Sequence, residues 1–432
     1  MPSLDYIEKL TGIKEEWIQN SKETESALVL AVQLPPQEHI CPHCKATTRR
    51  IKGYYTRLIK HFPLLHKELH LLYRQRRYIC SCGHTFNEKS PFASPYFQTS
   101  SSLQQVMLQE LRQHLSFQEV ARRCHVSTSQ VIRVFNEVHI PRPSHLPRVL
   151  SIDEFKGNAA GQKYQVIITD SENKRIMDIL PARTTPALLQ YFYQFPMSER
   201  RKVEFVTMDM SMQFRSVIKT IFPKARIVAD RFHMIRLVQW AMERVRKAEQ
   251  KRLCHHSRMF KSNKTILTKP YEKLTEEELI KLEGILRCSP RLRCAYALKY
   301  AFSKVLRFKD NANISWALSA WIDLVKSADL PEMNSLVKSF TYWYEEIRSA
   351  LIYPYSNGFT EGCSNKIKVL KRISFGLRNF ERFRNRILYI NTRNEKGSII
   401  NVGVRKYSFL TPFLHKKELS EKSWGSYSNG KT

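Results

Sequence analysis

Apolar and polar positions change their period several times along this chain, and each change marks a new kind of element. Residues 26–34, "SALVLAVQL", read as a strand after a short helix and stop at Pro35-Pro36. "YYTRLIKHFPLLHKELHLLYRQRRYICSCGHTF", from Tyr54, alternates well enough for two or three strands. Between 115 and 138 the period becomes helical: Phe117, Val120, Ala121, Val126, Val131, Ile132 and Phe135 recur so as to close a small core. Ser116-x-x-Glu119 and Ser127-x-x-Gln130 are capping-box starts for two short helices, with His125-Val126 as the turn between them. That pattern predicts a helix-turn-helix whose second helix enters the major groove, with Ser129, Gln130, Arg133 and Asn136 facing DNA. "HIPRPSHLPR", residues 139–148, carries three prolines and reads as a linker.

From 148 onward strands and helices alternate. "RVLSIDEF", "KYQVIITD" and "KRIMDIL" are strands, and a helix covers "TPALLQYFYQF". "KVEFVTMD" and "KARIVAD" are further strands, each followed by a helix, the second being the long basic "RFHMIRLVQWAMERVRKAEQKR". The order βββαβαβα predicts a mixed sheet covered by helices. Residues 241–350 carry helix signals alone, including the Thr275-x-x-Glu278 capping box and Ser289-Pro290, and read as an all-helical insertion whose aromatic residues, Trp316 and Trp321 among them, are core. The predicted divisions are 1–95, 96–145, 146–240, 241–350, 351–415, where the sheet unit resumes, and a polar tail at 416–432.

Charge changes the picture more than composition does. Lysine and arginine number 71 against 39 acidic residues, a formal net charge of +32 and a pI near 9.9, in a chain of 432 residues with 42% hydrophobic and 11% aromatic content. A globular chain this basic attracts nucleic acid or an anionic membrane. No apolar run approaches the roughly 18–20 residues of a membrane span, and "MPSLDYIEKLTGIKEEW" lacks the apolar centre of a signal peptide. The expectation is a cytoplasmic protein whose partner is nucleic acid.

Nine cysteines without an export signal argue against a disulfide framework. Cys41, Cys44, Cys80 and Cys82 form a CxxC and a CxC about 35 residues apart, the form of a zinc ribbon in which two knuckles give four thiolates to one Zn²⁺. The CxC half is tight, so His43 or His84 is an alternative for one sulfur.

The carboxylates carry the chemistry. Asp153 and Asp209 each end a short apolar strand, on the faces of Val149 and Ser151 and of Val203, Phe205 and Thr207. If the strands are neighbours, two such carboxylates need a shared cation. Glu361 heads the stretch "SNGFTEGCSNKIKVLKRISFGLRNFERFRNRIL", where it is followed by Lys366, Lys368, Lys371 and Arg372. Three hard oxygen ligands suit Mg²⁺ or Mn²⁺, a pair of which serves phosphoryl transfer, with the basic residues holding phosphates beside them. Taken singly, an aspartate ending a strand is more often a turn former or helix cap, and Asp230, directly before a helix, fits that description best.

"SIDEF…KG", "VTMDMS…FPKARIVADRFHMIRLV" and "SNGFTEGCSNKIKVLKRISFGLRNFERFR" resemble the three catalytic blocks of bacterial insertion-sequence transposases of the ISL-three family, and the ribbon and helix-turn-helix match that family's layout. The resemblance covers about residues 40–415 and implies an RNase H-like DDE catalytic domain interrupted by the helical insertion. It also implies that Asp153, Asp209 and Glu361 are the metal ligands, and gives Asp230-x-x-His233 a secondary place through its likeness to a D-x-x-H signature. The implied activity is binding of terminal inverted repeats, cleavage at the element's ends and attack of the freed 3′-OH on target DNA, within a dimer or larger synapse. A non-enzymatic regulator, a junction-resolving nuclease of the same fold and, remotely, a glycosidase are the rivals.

Overall fold

The computed structural model describes residues 4–64, 66–308, 311–374 and 377–391. The expected end of the last sheet segment, 392–415, and the polar tail at 416–432 lie outside the described residues.

The first unit opens with α1 (Leu4–Thr11) and continues through β1 (Ile18–Glu23), β2 (Ala27–Val32), β3 (His39–Ile40), β4 (Thr47–Thr48), β5 (Ile51–Leu64), β6 (Lys67–Ile79) and β7 (Thr85–Asn87). The long β5–β6 hairpin is its spine; β2 adds to β6 in parallel, and β1 and β7 complete the sheet. Alternate residues of β6, Leu69, Leu71 and Tyr73, bury against Ile13, Leu30, Val32 and Ile59. The small β3–β4 hairpin and the turn before β7 stand apart from this core and carry the four clustered cysteines.

Three helices follow: α2 (Ser101–Arg112), α3 (Phe117–Arg123) and α4 (Thr128–Asn136). Ser116 and Ser127 cap α3 and α4, accepting from the backbone N–H groups of Glu119 at 3.0 Å and Gln130 at 3.2 Å. The Glu119 carboxylate is taken by Arg122 and Arg123. The turn between the helices closes with His125 at φ 52, in the left-handed region. The sequence pattern missed α2, which supplies Leu103, Met107 and Leu111 to the core of the unit.

The central sheet contains β8 (Val149–Ala159), β9 (Gln162–Asp170), β10 (Arg175–Leu180), β11 (Phe205–Met208) and β12 (Arg226–Ala229), in the order β10-β9-β8-β11-β12. β8, β9 and β10 form an antiparallel meander, while β11 and β12 run parallel to β8. β8 extends further than its sequence predicts, because β9 pairs with it well past Asp153, from Leu150↔Asp170 to Ala159↔Gln162. Asp153 therefore sits inside a strand and not at its end, a correction to the sequence reading; Asp209 does directly follow β11. Near the hairpin, Gly157 leaves room for the Gln165 side chain, whose amide donates to the carbonyls of Ala159, Gln162 and Pro181.

Side chains alternate across this sheet. Leu150, Ile152, Val166 and Ile168 face one side, against α5 (Thr185–Tyr193), α7 (Met212–Ile221) and α8 (Arg231–Arg252), with the one-turn α6 (Met197–Arg200) between the first two. The region after α8 is helical: α9 (Ser257–Ser262), α10 (Lys264–Thr268), α11 (Glu276–Cys288), α12 (Pro290–Leu306), α13 (Ile314–Ser327), α14 (Asn334–Tyr342) and α15 (Tyr344–Ile352). It shares the same apolar core, with Trp321 buried between Phe302 and Phe340, while Trp316 is exposed, contrary to the sequence reading. Arg231 ties its last helix to the sheet by donating to the carbonyls of Ala350 and Tyr353.

The other face, with Phe155, Ala159, Ile167 and Ile179, is covered by α16 (Gly358–Ile373) and α17 (Phe380–Asn391), and the helix-turn-helix joins that same core. The arginines of α17 make the joint. Arg384 Nη1 donates to Ile140 O at 2.9 Å, Asn385 Nδ2 to Val138 O at 3.0 Å and Arg386 Nη2 to Leu115 O at 2.7 Å. The Arg386 guanidinium lies 5.5 and 5.6 Å from the rings of Phe117 and Phe135. The prolines at 139–148 leave that segment irregular, as a linker should be, yet its start is pinned through these carbonyls. No helix among the described residues is long and apolar enough to cross a membrane.

Candidate functional site

Strand register brings the acidic residues near one another. Ser151 pairs with Thr207 across β8 and β11, and Met208 pairs with Ala229 across β11 and β12. Asp153 lies two residues past Ser151 on β8, and Asp209 and Asp230 directly follow the last residues of β11 and β12. β8 and β11 pair as far as Ser151 and Thr207, just before the aspartates. The first switch of strand order, with β9 on one side of β8 and β11 on the other, falls at this point, and such a crevice is the usual ligand site of an open α/β sheet.

Hydroxyl groups floor the crevice. Ser151 Oγ contacts both Thr207 Oγ1 and Ser171 Oγ, and Thr169 Oγ1 lies 2.8 Å from Thr360 Oγ1 on α16. One turn further along α16, Ser364 Oγ is 3.4 Å from Asp153 Oδ2, and the Glu154 N–H donates to Asp153 Oδ1 at 2.8 Å. Thr360 and Ser364, four residues apart, thus fix the face of α16 that meets the sheet. The sequence reading missed both, and a pair of hydroxyls at helical spacing beside Glu361 was the available signal.

The aspartates are short of positive charge. Burial, with the Asp209 charge adding to it, pushes Asp153 up from 3.8 to about 6, against the pull of the Glu154 N–H, His233 and Ser364. Burial also raises Asp209, aided by Glu154 and Asp230 and opposed by His233 and Arg183. Asp209 Oδ1 is buried without a hydrogen-bond partner. An orphaned carboxylate oxygen beside a second, half-buried carboxylate is the donor set that a hard divalent cation satisfies.

Asp230 has two tasks. It caps α8 through the Phe232 N–H at 3.4 Å, as its place directly before a helix predicts, and its Oδ2 lies 2.8 Å from His233 Nδ1. That carboxylate favours the Nδ1–H tautomer of His233, which leaves Nε2 as the acceptor or ligand nitrogen.

Glu361 occupies the first turn of α16, exposed, one turn before Ser364. Among the described residues, the four cysteines alone form a group of three or more candidate ligands within 4.8 Å of one another, so Asp153, Asp209 and Glu361 do not form such a cluster. The structure brings Asp153 and Asp209 to one crevice and lays α16, which carries Glu361 in its first turn, against it. Lys366, Lys368 and Arg372 are exposed along α16, Lys368 against Asn365, while Lys371 Nζ donates to Lys156 O at 2.8 Å. Of the expected DNA-facing residues of α4, Ser129 and Arg133 are exposed and Gln130 is half-buried; Asn136 is exposed but accepts from Arg382 Nε at 2.9 Å.

The cysteines converge as a tetrahedron requires. Cys44 and Cys80 sulfurs are 3.4 Å apart, Cys41 and Cys82 3.8 Å, and four Zn–S bonds of about 2.3 Å imply sulfurs about 3.8 Å apart. The Cys82 N–H and the Cys44 thiol lower Cys80 to about 6, which favours the thiolate a metal needs. His43 and His84 stack on each other at 5.6 Å, and neither belongs to the four-membered group.

A basic helix-turn-helix built onto a sheet with a carboxylate crevice defines a DNA-acting protein. Comparison with known proteins makes this specific. Residues 150–387 match a family model described as a transposase, in its ISL3 form; residues 37–83 match the zinc finger of transposase IS204/IS1001/IS1096/IS1165, and 88–139 the helix-turn-helix domain of transposase family ISL3. The transposase for insertion sequence element IS1001 of Bordetella parapertussis is 24% identical over 380 residues, 85% of this chain and 92% of that protein. The transposase for insertion sequence element IS1557 of Mycobacterium tuberculosis is 26% identical over 271 residues, 56% of this chain and 60% of that protein. A Lactococcus lactis protein named ATP-dependent protease is 33% identical over 116 residues, 27% of this chain and 35% of that protein. The chain belongs to the ISL3 family of insertion-sequence transposases, with a zinc ribbon and a helix-turn-helix ahead of a DDE transposase domain.

Proposed function

We propose that the chain is a metal-dependent polynucleotidyl transferase with an RNase H-like catalytic domain, which binds its element's terminal repeats, cuts there and joins the freed 3′ ends to target DNA. The observation that carries this is the pair of half-buried aspartates at the switch point, one with an orphaned oxygen. The sheet order, a three-stranded meander extended by two parallel strands, supports the RNase H-like assignment.

In this reading Asp153 and Asp209 hold Mg²⁺ or Mn²⁺, and Glu361 turns inward to complete the set when DNA lies across α16. Bound divalent ions would supply Lewis acidity for the attacking and leaving oxygens of an in-line transfer. The protein's own part is positional. Thr360 and Ser364 hold α16 in register with β8 and β9; Asp230 orients His233 at the crevice; Lys366, Lys368, Lys371 and Arg372 meet backbone phosphates. Ser129, Gln130 and Arg133 meet base edges, and Asn136 reaches DNA by releasing Arg382. Two ends must be held together for strand transfer, so the working form is a dimer or larger, acting in the cytoplasm.

The deciding experiment incubates the protein with Mn²⁺ and a labelled element end, scoring nicks at nucleotide resolution and joining to a target duplex. Nicks at the end followed by joined product are expected. Cutting without joining would favour a resolvase-type nuclease, and sequence-specific binding with no nick a regulator.

Cys41, Cys44, Cys80 and Cys82 are proposed to hold one Zn²⁺. Because the apolar core of the first sheet is separate from the knuckles, metal loss should loosen the cysteine-bearing tips while β2, β5 and β6 stay folded. Cys80→Ser is expected to abolish bound zinc by metal analysis and to weaken end binding by about tenfold or more, with the main thermal transition nearly unmoved. Full zinc retention in that variant would remove the assignment.

A further inference from the structure

We propose that the outer face of α8 beside the aspartates is a stacking platform for unpaired DNA bases. This rests on the transposase reading and adds the state of its substrate: the strand reaching the crevice is locally single-stranded. Phe232, Arg236 and Trp240 stand at i, i+4 and i+8, one above another on α8. The Arg236 guanidinium is inserted between the two rings, 5.3 Å from that of Phe232 and 5.0 Å from that of Trp240. Both rings are about half exposed, at 50% and 52%. Among the described residues Arg236 makes no ion pair, so the row keeps its cationic centre. The buried stripe of α8, Met234, Val238, Ala241 and Val245, lies across the helix, and the row has no part in that core.

Position points to the occupant. The row begins at the candidate site: the Phe232 N–H is bonded to Asp230, and its ring meets His233 edge-on at 6.0 Å. It then runs about 12 Å away, eight residues at about 1.5 Å each. Arg244 and Lys247 continue the exposed positive charge beyond Trp240. A second copy carrying +32 would be repelled here, whereas a polyanion is drawn in. Paired bases hide their faces inside the duplex; splayed bases stack on aromatic rings and guanidinium planes. The occupant is therefore a single strand, with its phosphates toward the aspartates and its bases on the row.

The test uses the full-length protein without metal, a mixed-sequence single-stranded oligonucleotide of about 20 nucleotides and its blunt duplex, at about 0.2 M salt, where backbone attraction is weakened. A double variant, Phe232→Ala with Trp240→Ala, should bind the single strand about tenfold or more weakly and the duplex within about twofold of wild type. Trp240→Phe should stay close to wild type, and the exposed positions should leave the thermal transition in place. Equal loss on both probes, no loss on either, or a changed oligomeric state in place of a binding defect would overturn the platform. No cleavage is involved, so a failed nicking assay would sink the transfer chemistry and leave this result standing, and the reverse.

Discussion

Asp153→Asn should leave a protein that binds element ends at wild-type strength, cuts them at least about a thousandfold more slowly, and melts higher than wild type when metal is absent. The loss of activity follows from removing one of two oxygen donors at the centre of the proposed transfer. The gain in stability follows from burial. In an unfolded chain Asp153 ionises near 3.8, and in the folded protein near 6. Between those values the folded state holds more protons, so stability present below pH 3.8 is lost as pH rises through about 6. At neutral pH the ionised carboxylate costs up to about 3 kcal/mol, which an amide of the same shape avoids. The Ser364 hydroxyl turns to accept from the new amide, so the contact with α16 survives. Melting in chelator at pH 7.5 and pH 5 checks this: the variant should lead by several degrees at the higher pH, with a smaller margin at the lower. Added Mg²⁺ or Mn²⁺ should raise wild type towards the variant. A variant that melts lower at pH 7.5, or one that still cuts, would remove Asp153 from the centre.

Arg384→Met should be the most damaging single change away from the crevice. Arg384 Nε lies 2.5 Å from Asp178 Oδ1 of β10, both side chains are almost wholly buried, and the same guanidinium holds Ile140 O. Removing it strands a carboxylate in the sheet, at a cost of about 3–5 kcal/mol. The pair is itself incompletely satisfied, since Asp178 Oδ2 and Arg384 Nη2 lack partners. Replacing both, Asp178→Leu with Arg384→Met, should therefore recover most of the loss, because an apolar pair of similar bulk escapes the desolvation penalty. Urea unfolding measures the stability difference, and proteolysis within 139–148 measures release of the helix-turn-helix. A single variant as stable as wild type would show that other contacts carry the docking.

The comparison with sequence turns on the range over which each feature is decided. Caps at Ser116 and Ser127 are settled within three residues, and the α3–α4 pair formed where its pattern placed it. Apolar runs ending near Asp209 and Asp230 place strands correctly, since each strand's burial is written in its own residues. In sequence the arginines of 378–386, interrupted by Glu381, look like an extension of the basic stretch behind Glu361, yet Arg384 and Arg386 are buried against carbonyls between 115 and 140. An arginine that grips phosphate and one that grips backbone carbonyls look alike in sequence, and only the distant partner separates them. The length of β8 was hidden for a similar reason: pairing with β9 carries the strand on through polar Glu154, Lys156 and Asn158. The stance of Glu361 depends on how one turn of α16 meets β8 and β9, which no local pattern specifies.

The apolar mass shared by the helix-turn-helix and the sheet limits how this transposase can be retargeted. A reading head grafted from a relative would have to bring its own counterparts of Phe117 and Phe135 for the Arg386 guanidinium, and present its 115, 138 and 140 carbonyls to α17. If Ser129 and Arg133, which are exposed, read DNA as proposed, altered preference is more readily obtained by substitutions there than by exchange of whole helices. Under the proposed function, a helix-turn-helix that shares its core with the catalytic sheet would build the offset in base pairs between recognition and cut into the fold.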